Sequence, residues 1–234
     1  MNDWSSLESS ILLCRLCPRL VAWREEVARV KRRAYRDEDY WGKPVPGFGD
    51  PAARVLIVGL APGAHGANRT GRMFTGDSSG DFLYAALHRA GFASQSTSRD
   101  REDELTLTDA YISAACRCAP PDNKPAPDEL AACRHFLAAE ITLLRDIQAV
   151  VALGRIAFDA ILRSYPPITG AATLVFAHNA ASSLGPGLPM LVTSYHPSRQ
   201  NTQTGRLTTG MFDDVWSNVR RFLKSKDTPQ PDIT

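Results

Sequence analysis

Arg54-Val-Leu-Ile-Val-Gly-Leu60 runs directly into Ala61-Pro-Gly-Ala-His-Gly-Ala-Asn-Arg-Thr-Gly-Arg-Met-Phe-Thr-Gly-Asp77. An apolar, β-branched run of this length reads as a buried parallel strand, and in open α/β sheets ligands bind beyond the carboxyl ends of such strands. The loop that follows carries two arginines, a histidine, a phenylalanine and an aspartate among glycines and alanines. No Gly-Lys-Ser/Thr closes it, so it is not a Walker A loop. Gly59 is followed by Ala61 and Pro62, not by glycines in dinucleotide-binding register. The loop therefore holds something other than a nucleotide cofactor.

Three further apolar runs, at about 108 to 115, 148 to 153 and 189 to 195, are bounded by Gly, Pro or polar residues and read as strands. Helices are expected between them. Ser78 and Ser79 are plausible caps for Leu83, Ala86, Leu87 and Ala90, which recur at helical spacing until Gly91. Others are expected from Pro127 through Leu144, from Arg155 to Tyr165, over 213 to 223, and over the basic region 18 to 37. Pro44, Pro46, Gly47 and Gly49 make the linker to the first strand. This alternation predicts an α/β fold, with helices on both faces of a parallel sheet. Residues 94 to 104 read as an exposed loop. Residues 1 to 224 are expected to form one domain, and 225 to 234 a flexible tail.

The chain of 234 residues is 44% hydrophobic and 22% charged, as expected of an enzyme with one core. No apolar stretch approaches the roughly 18 residues that span a bilayer. With Asp3 and Glu8 at its start, the N-terminus does not read as a signal peptide, so the expected location is the cytoplasm, with no membrane partner. The net charge of +2 says little about partners. Between residues 15 and 36, however, Arg15, Arg19, Arg24, Arg29, Lys31, Arg32, Arg33 and Arg36 form a basic stripe that could lie along phosphates or simply face water.

Five cysteines, Cys14, Cys17, Cys116, Cys118 and Cys133, suggest a metal or cluster in preference to disulfides in an intracellular enzyme. Cys14 and Cys17 form a C-x2-C pair, and Cys118 and Cys133 would complete a four-thiolate set. Zinc and a [4Fe-4S] cluster both accept four thiolates. The spacing leaves both open, with Cys116 a further possible ligand.

A second motif, His196-Pro197-Ser198-Arg199-Gln200-Asn201-Thr202, directly follows the run Met190 to Tyr195. Together with the Gly-Leu-Ala-Pro-Gly opening and the Arg-Thr-Gly-Arg-x-Phe-Thr-Gly-Asp close of the first loop, it resembles the uracil-DNA glycosylase superfamily. Within that superfamily the four cysteines look like the family 5, or type B, enzymes. The resemblance runs from about Cys14 to Phe222. It implies a three-layer α/β/α sandwich around a four-stranded parallel sheet, and an enzyme that flips uracil out of DNA and hydrolyses its N-glycosidic bond. The relatives carry Cys-x-Pro-Pro followed by a second Cys about fifteen residues on, here Cys118-Ala119-Pro120-Pro121 to Cys133. This implies a [4Fe-4S] cluster on Cys14, Cys17, Cys118 and Cys133, with Cys116 spare.

The implied catalytic residues are His196, donating to O2 of the leaving base, and Asp77, orienting water or steadying the cationic sugar. Other superfamily members carry Asp, Asn or Glu where this chain has Leu60 and Ala61, and family 4 enzymes tend to have Arg where Asp77 stands. Asp77 is therefore the candidate carboxylate, although an Asp before a helix also serves as its N-cap. Phe74 is the stacking candidate, and Asn123 and Asn201 would read polar edges of the base. With Gly59, Ala61, Gly63 and His65 they complete the implied substrate-binding set. The small residues of the loop suggest a roomy pocket, and the resemblance implies a scope that includes hypoxanthine, xanthine or ethenocytosine. DNA partners would be double-stranded and also single-stranded, bound by a monomer. Phosphate contacts are expected from residues 29 to 36, Arg69, Arg72 and Arg199, and a wedge from Gln200, Thr202, Arg206 and Leu207. A metal-stapled nucleic-acid binding module without catalysis would keep the cysteines and the basic stripe but not need both loop motifs. An electron-transfer protein would need neither.

Overall fold

The computed structural model describes residues 3–165 and 174–227. Four of its strands are the apolar runs: β2 (Val55–Gly59), β3 (Ala110–Ala114), β4 (Ala149–Leu153) and β6 (Met190–Ser194), parallel in the order β3-β2-β4-β6. Two short antiparallel strands extend the expected four into a six-stranded sheet. β1 (Phe48–Gly49) borders β3, and β5 (Ala181–Ser183) borders β6.

Every residue of β2, β3 and β4 is buried, and alternate residues feed opposite cores. Val55 and Ile57 face α4 (Ser78–Arg89) and α8 (Thr209–Asp227), meeting Leu83, Leu87, Phe212 and Trp216. Leu56 and Val58 face α5 (Pro127–Leu143) and α6 (Arg155–Ser164), meeting Leu137, Phe158 and Ile161. A strand covered on both faces has no polar side, which is why these segments read as continuous apolar runs.

Two N-terminal helices, α1 (Trp4–Leu12) and α2 (Pro18–Val30), lie outside this frame. Leu7, Ile11 and Leu20 pack with Phe136 of α5 around the cysteines. α1 was not expected; α2 ends at Val30, and a 3-10 turn (Arg33–Tyr35) follows it. α8 continues through Asp227, beyond the expected start of the tail, and residues 228–234 lie outside the described residues. The stretch 94 to 104 is not wholly exposed, since Ser98 is buried and Asp103 forms an ion pair with buried Arg72. No helix among the described residues is long and apolar enough to cross a membrane.

The sheet reverses its order between β2 and β4. Loops leaving β2, β3 and β6 therefore open at one end, where an α/β sheet binds its ligand. Behind that end, Arg117 and Glu140 form an ion pair with 1% and 0% side-chain exposure, joined by Ser113 and Tyr111. Removing one member of a buried pair strands the other charge and costs about 3–5 kcal/mol. Glu140→Ala should lower the free energy of urea unfolding by about that amount, whereas Asp159→Ala, in the exposed Arg155–Asp159 pair, should cost about 0.3–0.5 kcal/mol.

Candidate active site

The open end holds a cavity of about 790 Å³ whose wall includes Leu60, Ala61, Gly63, Ala64 and His65 from the loop after β2, Asn123 from the loop after β3, and His196 and Gln200 beyond β6. The loop after β2 is stiffened by its own side chains. Arg69 donates to the carbonyls of His65 and Gly76 and pairs with Glu38. Arg72 donates to Thr75 Oγ1, Ser98 Oγ and Asp103. Tyr84 Oη donates to Met73 O at 2.9 Å from beneath. Both arginines are buried and spent on holding the loop, so neither is the phosphate contact expected of it.

Asp77 closes this loop and opens α4. Its Oδ1 accepts from the N–H groups of Ser79 (2.9 Å) and Gly80 (3.1 Å), so the N-cap is real. The same carboxylate also lines the cavity. Its Oδ2 lies where side chains on Gly63 and Gly66 would sit: a Cβ on Gly66 would come within 2.0 Å of it, and one on Gly63 within 2.7 Å. Burial raises the Asp77 pKa above the ordinary carboxylate value, opposed by the two backbone donors. Capping and pocket chemistry are thus two uses of one side chain.

Phe74 stands in the left-handed region, with φ +53°. A bulky residue there costs on the order of 1–3 kcal/mol unless its surroundings hold it. Gly80 allows the bend, because a Cβ there would meet Phe74 O at 1.7 Å. The Phe74 ring crosses over Gly59, where a Cβ would come within 2.6 Å, and stacks with His196 at 5.8 Å between centroids and 28° between planes. Gly59 therefore makes room for the stacking ring and does not itself line the cavity.

His196 leaves β6 beside Gly154, and its carbonyl accepts from Asn201 Nδ2 at 2.8 Å. Asn201 supports the histidine loop through this bond and does not itself line the cavity. Burial pushes the His196 pKa down to about 4, so its imidazole is neutral. His65, in the same wall, contacts Tyr40 Oη through Nδ1 at 3.0 Å, and burial lowers its pKa too. Asn123 (φ +56°) is exposed at the rim, and Ala61 and Gly63 lie in the wall.

The expected wedge narrows. Leu207 is fully buried in the core and Arg206 lies over the Tyr195 ring; of the four, Gln200 on α7 (Arg199–Gln203) lines the cavity. The basic stripe narrows as well. Arg15, Arg19, Arg29 and Arg36 are ion-paired with Glu25, Glu129, Glu26 and Asp37, and Arg24 is buried. Arg32 and Arg199 reach the cavity, together with Tyr35, which the sequence reading did not single out.

All five cysteines line one small, apolar cavity between α1, α2 and α5. As placed, no three or more Cys, His, Asp or Glu among the described residues stand close enough to hold a metal ion. Their surroundings nevertheless suit an anionic, sulfur-bound group. Arg24 donates to Cys118 Sγ at 3.0 Å, and the Arg117 N–H donates to Cys133 Sγ at 3.2 Å. Arg24 Nε and Arg117 Nε and Nη1 are buried without an acceptor, a costly state that such a group would relieve. The Cys116 thiol donates to Cys133, which lowers the Cys133 pKa, whereas burial raises that of Cys118 to about 12.

A family model described as the uracil DNA glycosylase superfamily matches residues 46–220. The chain is 53% identical over 220 residues to the type-5 uracil-DNA glycosylase of Thermus thermophilus, covering 94% of this chain and 98% of that protein. It is 52% identical over 217 residues to that of Mycobacterium tuberculosis, covering 92% and 80%. It is 37% identical over 116 residues to the type-4 uracil-DNA glycosylase of Thermotoga maritima, covering 49% and 52%.

The buried imidazole gives a pH signature. Between pH 6.5, the ordinary histidine value, and pH 4 the unfolded state binds a proton at residue 196 that the folded state refuses. This contribution to stability is therefore intact above pH 6.5 and is lost as pH falls toward 4. Histidine-selective NMR should find one ring, absent from His196→Gln, titrating near pH 4; a midpoint near 6.5 would contradict the burial.

Proposed function

The chain belongs to the uracil DNA glycosylase superfamily, on the branch of its type-5 relatives, and from that premise we propose that it removes uracil from DNA by hydrolysing the N-glycosidic bond. The observation that carries this reading is the meeting of Asp77, Phe74, Asn123 and His196, from three separate strand ends, in one cavity. A base fits there only after leaving the duplex, at a cost of a few kcal/mol that phosphate contacts offset. Arg32 and Arg199, which line the cavity, would make such contacts.

The chemistry follows from the groups. An extruded uracil stacks on Phe74, and Asn123 at the rim reads its polar edge. As the bond between N1 and C1′ breaks, both electrons pass to the base, and negative charge spreads onto its carbonyl oxygens. A neutral His196 donates an N–H to O2. Unlike imidazolium, it does so without needing a buried cation to be kept charged. The sugar left behind is cation-like, and water adds at C1′. Asp77, whose raised pKa makes it a better base than an ordinary carboxylate, takes the proton of that water through the oxygen not committed to α4. The products are free uracil and an abasic site.

Cys14, Cys17, Cys118 and Cys133 would hold a [4Fe-4S] cluster. The thiol set and the acceptor-seeking arginine nitrogens support this, and so does the match to type-5 relatives. When bound, the cluster supplies a redox-capable staple between the N-terminal helices and α5. Bond cleavage rests on the side chains of the cavity. The small residues Ala61, Gly63 and Ala64 leave room for larger bases, so the scope proposed extends to hypoxanthine, xanthine and ethenocytosine.

The test is strand scission after alkali treatment of a duplex containing one G·U pair, with parallel duplexes for the other bases. Wild type should release uracil. His196→Ala should slow release about 10²–10³-fold, as loss of a preorganised donor does, and Asp77→Asn should slow it by at least about tenfold. Absence of release by wild type from every duplex would refute the reading. Full activity in Asp77→Asn would leave Asp77 as a helix cap alone.

A further inference from the structure

Arg24 lies where two sites meet. It falls among the basic residues of α2, yet only 2% of it is exposed, because it shares the inner face of that helix with Leu20, Val21 and Val27. Its Nη1 donates to Cys118 Sγ at 3.0 Å, and its Nη2 to the carbonyl of Cys14 at 3.4 Å. One guanidinium thus joins the cysteine pair near the N-terminus to the pair following β3. Its own carbonyl accepts from Asn68 Nδ2 at 3.2 Å, and Asn68 has no exposed surface. Asn68 sits on the short helix α3 (Ala67–Thr70) within the loop that carries Asp77, and its N–H donates to Gly63 O at 3.0 Å. Gly63 is one of the two glycines against Asp77 Oδ2. An unbroken line of bonds therefore runs from Cys118 through Arg24 and Asn68 to the cradle of the pocket carboxylate.

We propose that Arg24 is the positioning residue that couples the cysteine site to the base pocket, its guanidinium bonded to the cysteines and its carbonyl bonded to the loop that places Asp77. The proposal rests on the cluster reading given above. The buried Nε of Arg24, which has no protein acceptor, is a further donor toward a group held by those cysteines. A donor and a positive charge beside a thiolate ligand favour the more negative, reduced state of such a group, so Arg24 raises its midpoint potential. The same bonds fix α2 against α3 and hold the pocket loop in place.

The test uses iron-loaded wild type, Arg24→Gln and Arg24→Lys, with three readouts other than catalysis: the midpoint potential, the rate at which a chelator bleaches the visible absorption, and amide exchange of residues 63–71. In Arg24→Gln the midpoint should fall, bleaching should accelerate at least tenfold, and exchange of 63–71 should quicken. Arg24→Lys keeps the charge but cannot bridge both cysteine segments, so it should hold the midpoint near wild type while bleaching several-fold faster. If the Gln variant does not fold, the Lys variant decides. A wild-type bleaching rate in Arg24→Lys, or unchanged potential or loop exchange in Arg24→Gln, overturns the coupling. Wild-type protein without iron and acid-labile sulfide overturns the cluster reading itself, which is a separate outcome.

Discussion

The site depends on a single carboxylate made to serve two structures. Asp77 gives one oxygen to the first N–H groups of α4, and through them its strength as a cap, worth typically about 1 kcal/mol. Its other oxygen is pressed into a hollow that exists only because residues 63 and 66 are glycines. Those glycines belong to the loop leaving β2, so the cap, the loop and the strand are mutually constrained. Phe74, three residues before the cap, is forced into a left-handed backbone that places its ring over Gly59 and beside His196. Relaxing any of these would release the rest.

A loop so rich in glycine would not hold that geometry unaided, since glycine loses more backbone freedom on ordering than any other residue. The arginines supply the stiffness. Arg69 and Arg72 bond to the carbonyl or hydroxyl groups of their own loop and form ion pairs with Glu38 and Asp103 from neighbouring segments. Asn68 ties the loop to α2, which also borders the cysteines. Rigidity at the pocket is therefore drawn from the N-terminal helices as well as from the sheet. The binding energy left for substrate is not consumed in ordering the loop.

The parallel core of the sheet was legible because burial on both faces writes itself as unbroken apolar runs. The four runs differ from the observed strands by only a residue or two at their ends. The edge strands were not legible: at two and three residues, β1 and β5 carry too little pattern to separate from loop. In the site, Phe74, Asp77 and His196, singled out from the loop motifs, line one cavity, and Cys14 and Cys17 line a second with the other three cysteines. What failed was the inference from charge to exposure. Arg69 and Arg72 read as phosphate ligands and Arg24 as part of an exposed basic stripe, and all three are instead buried structural donors. For Arg24 the contrary signal was present, since its spacing from Leu20 and Val27 puts it on the apolar face of α2. Leu207, expected in the wedge, is buried in the core, because proximity in sequence to His196 does not say which side chains face the cavity.

The most direct test of this account is the single-turnover rate of uracil release by Gly66→Ala. The added methyl group would occupy the position of Asp77 Oδ2 and push it aside without removing any ionisable group. The account predicts a protein that still folds and binds DNA but releases uracil at least about tenfold more slowly, because the carboxylate has been displaced from the reacting sugar. A rate equal to that of wild type would contradict it, and would mean that Asp77 does no more than cap α4.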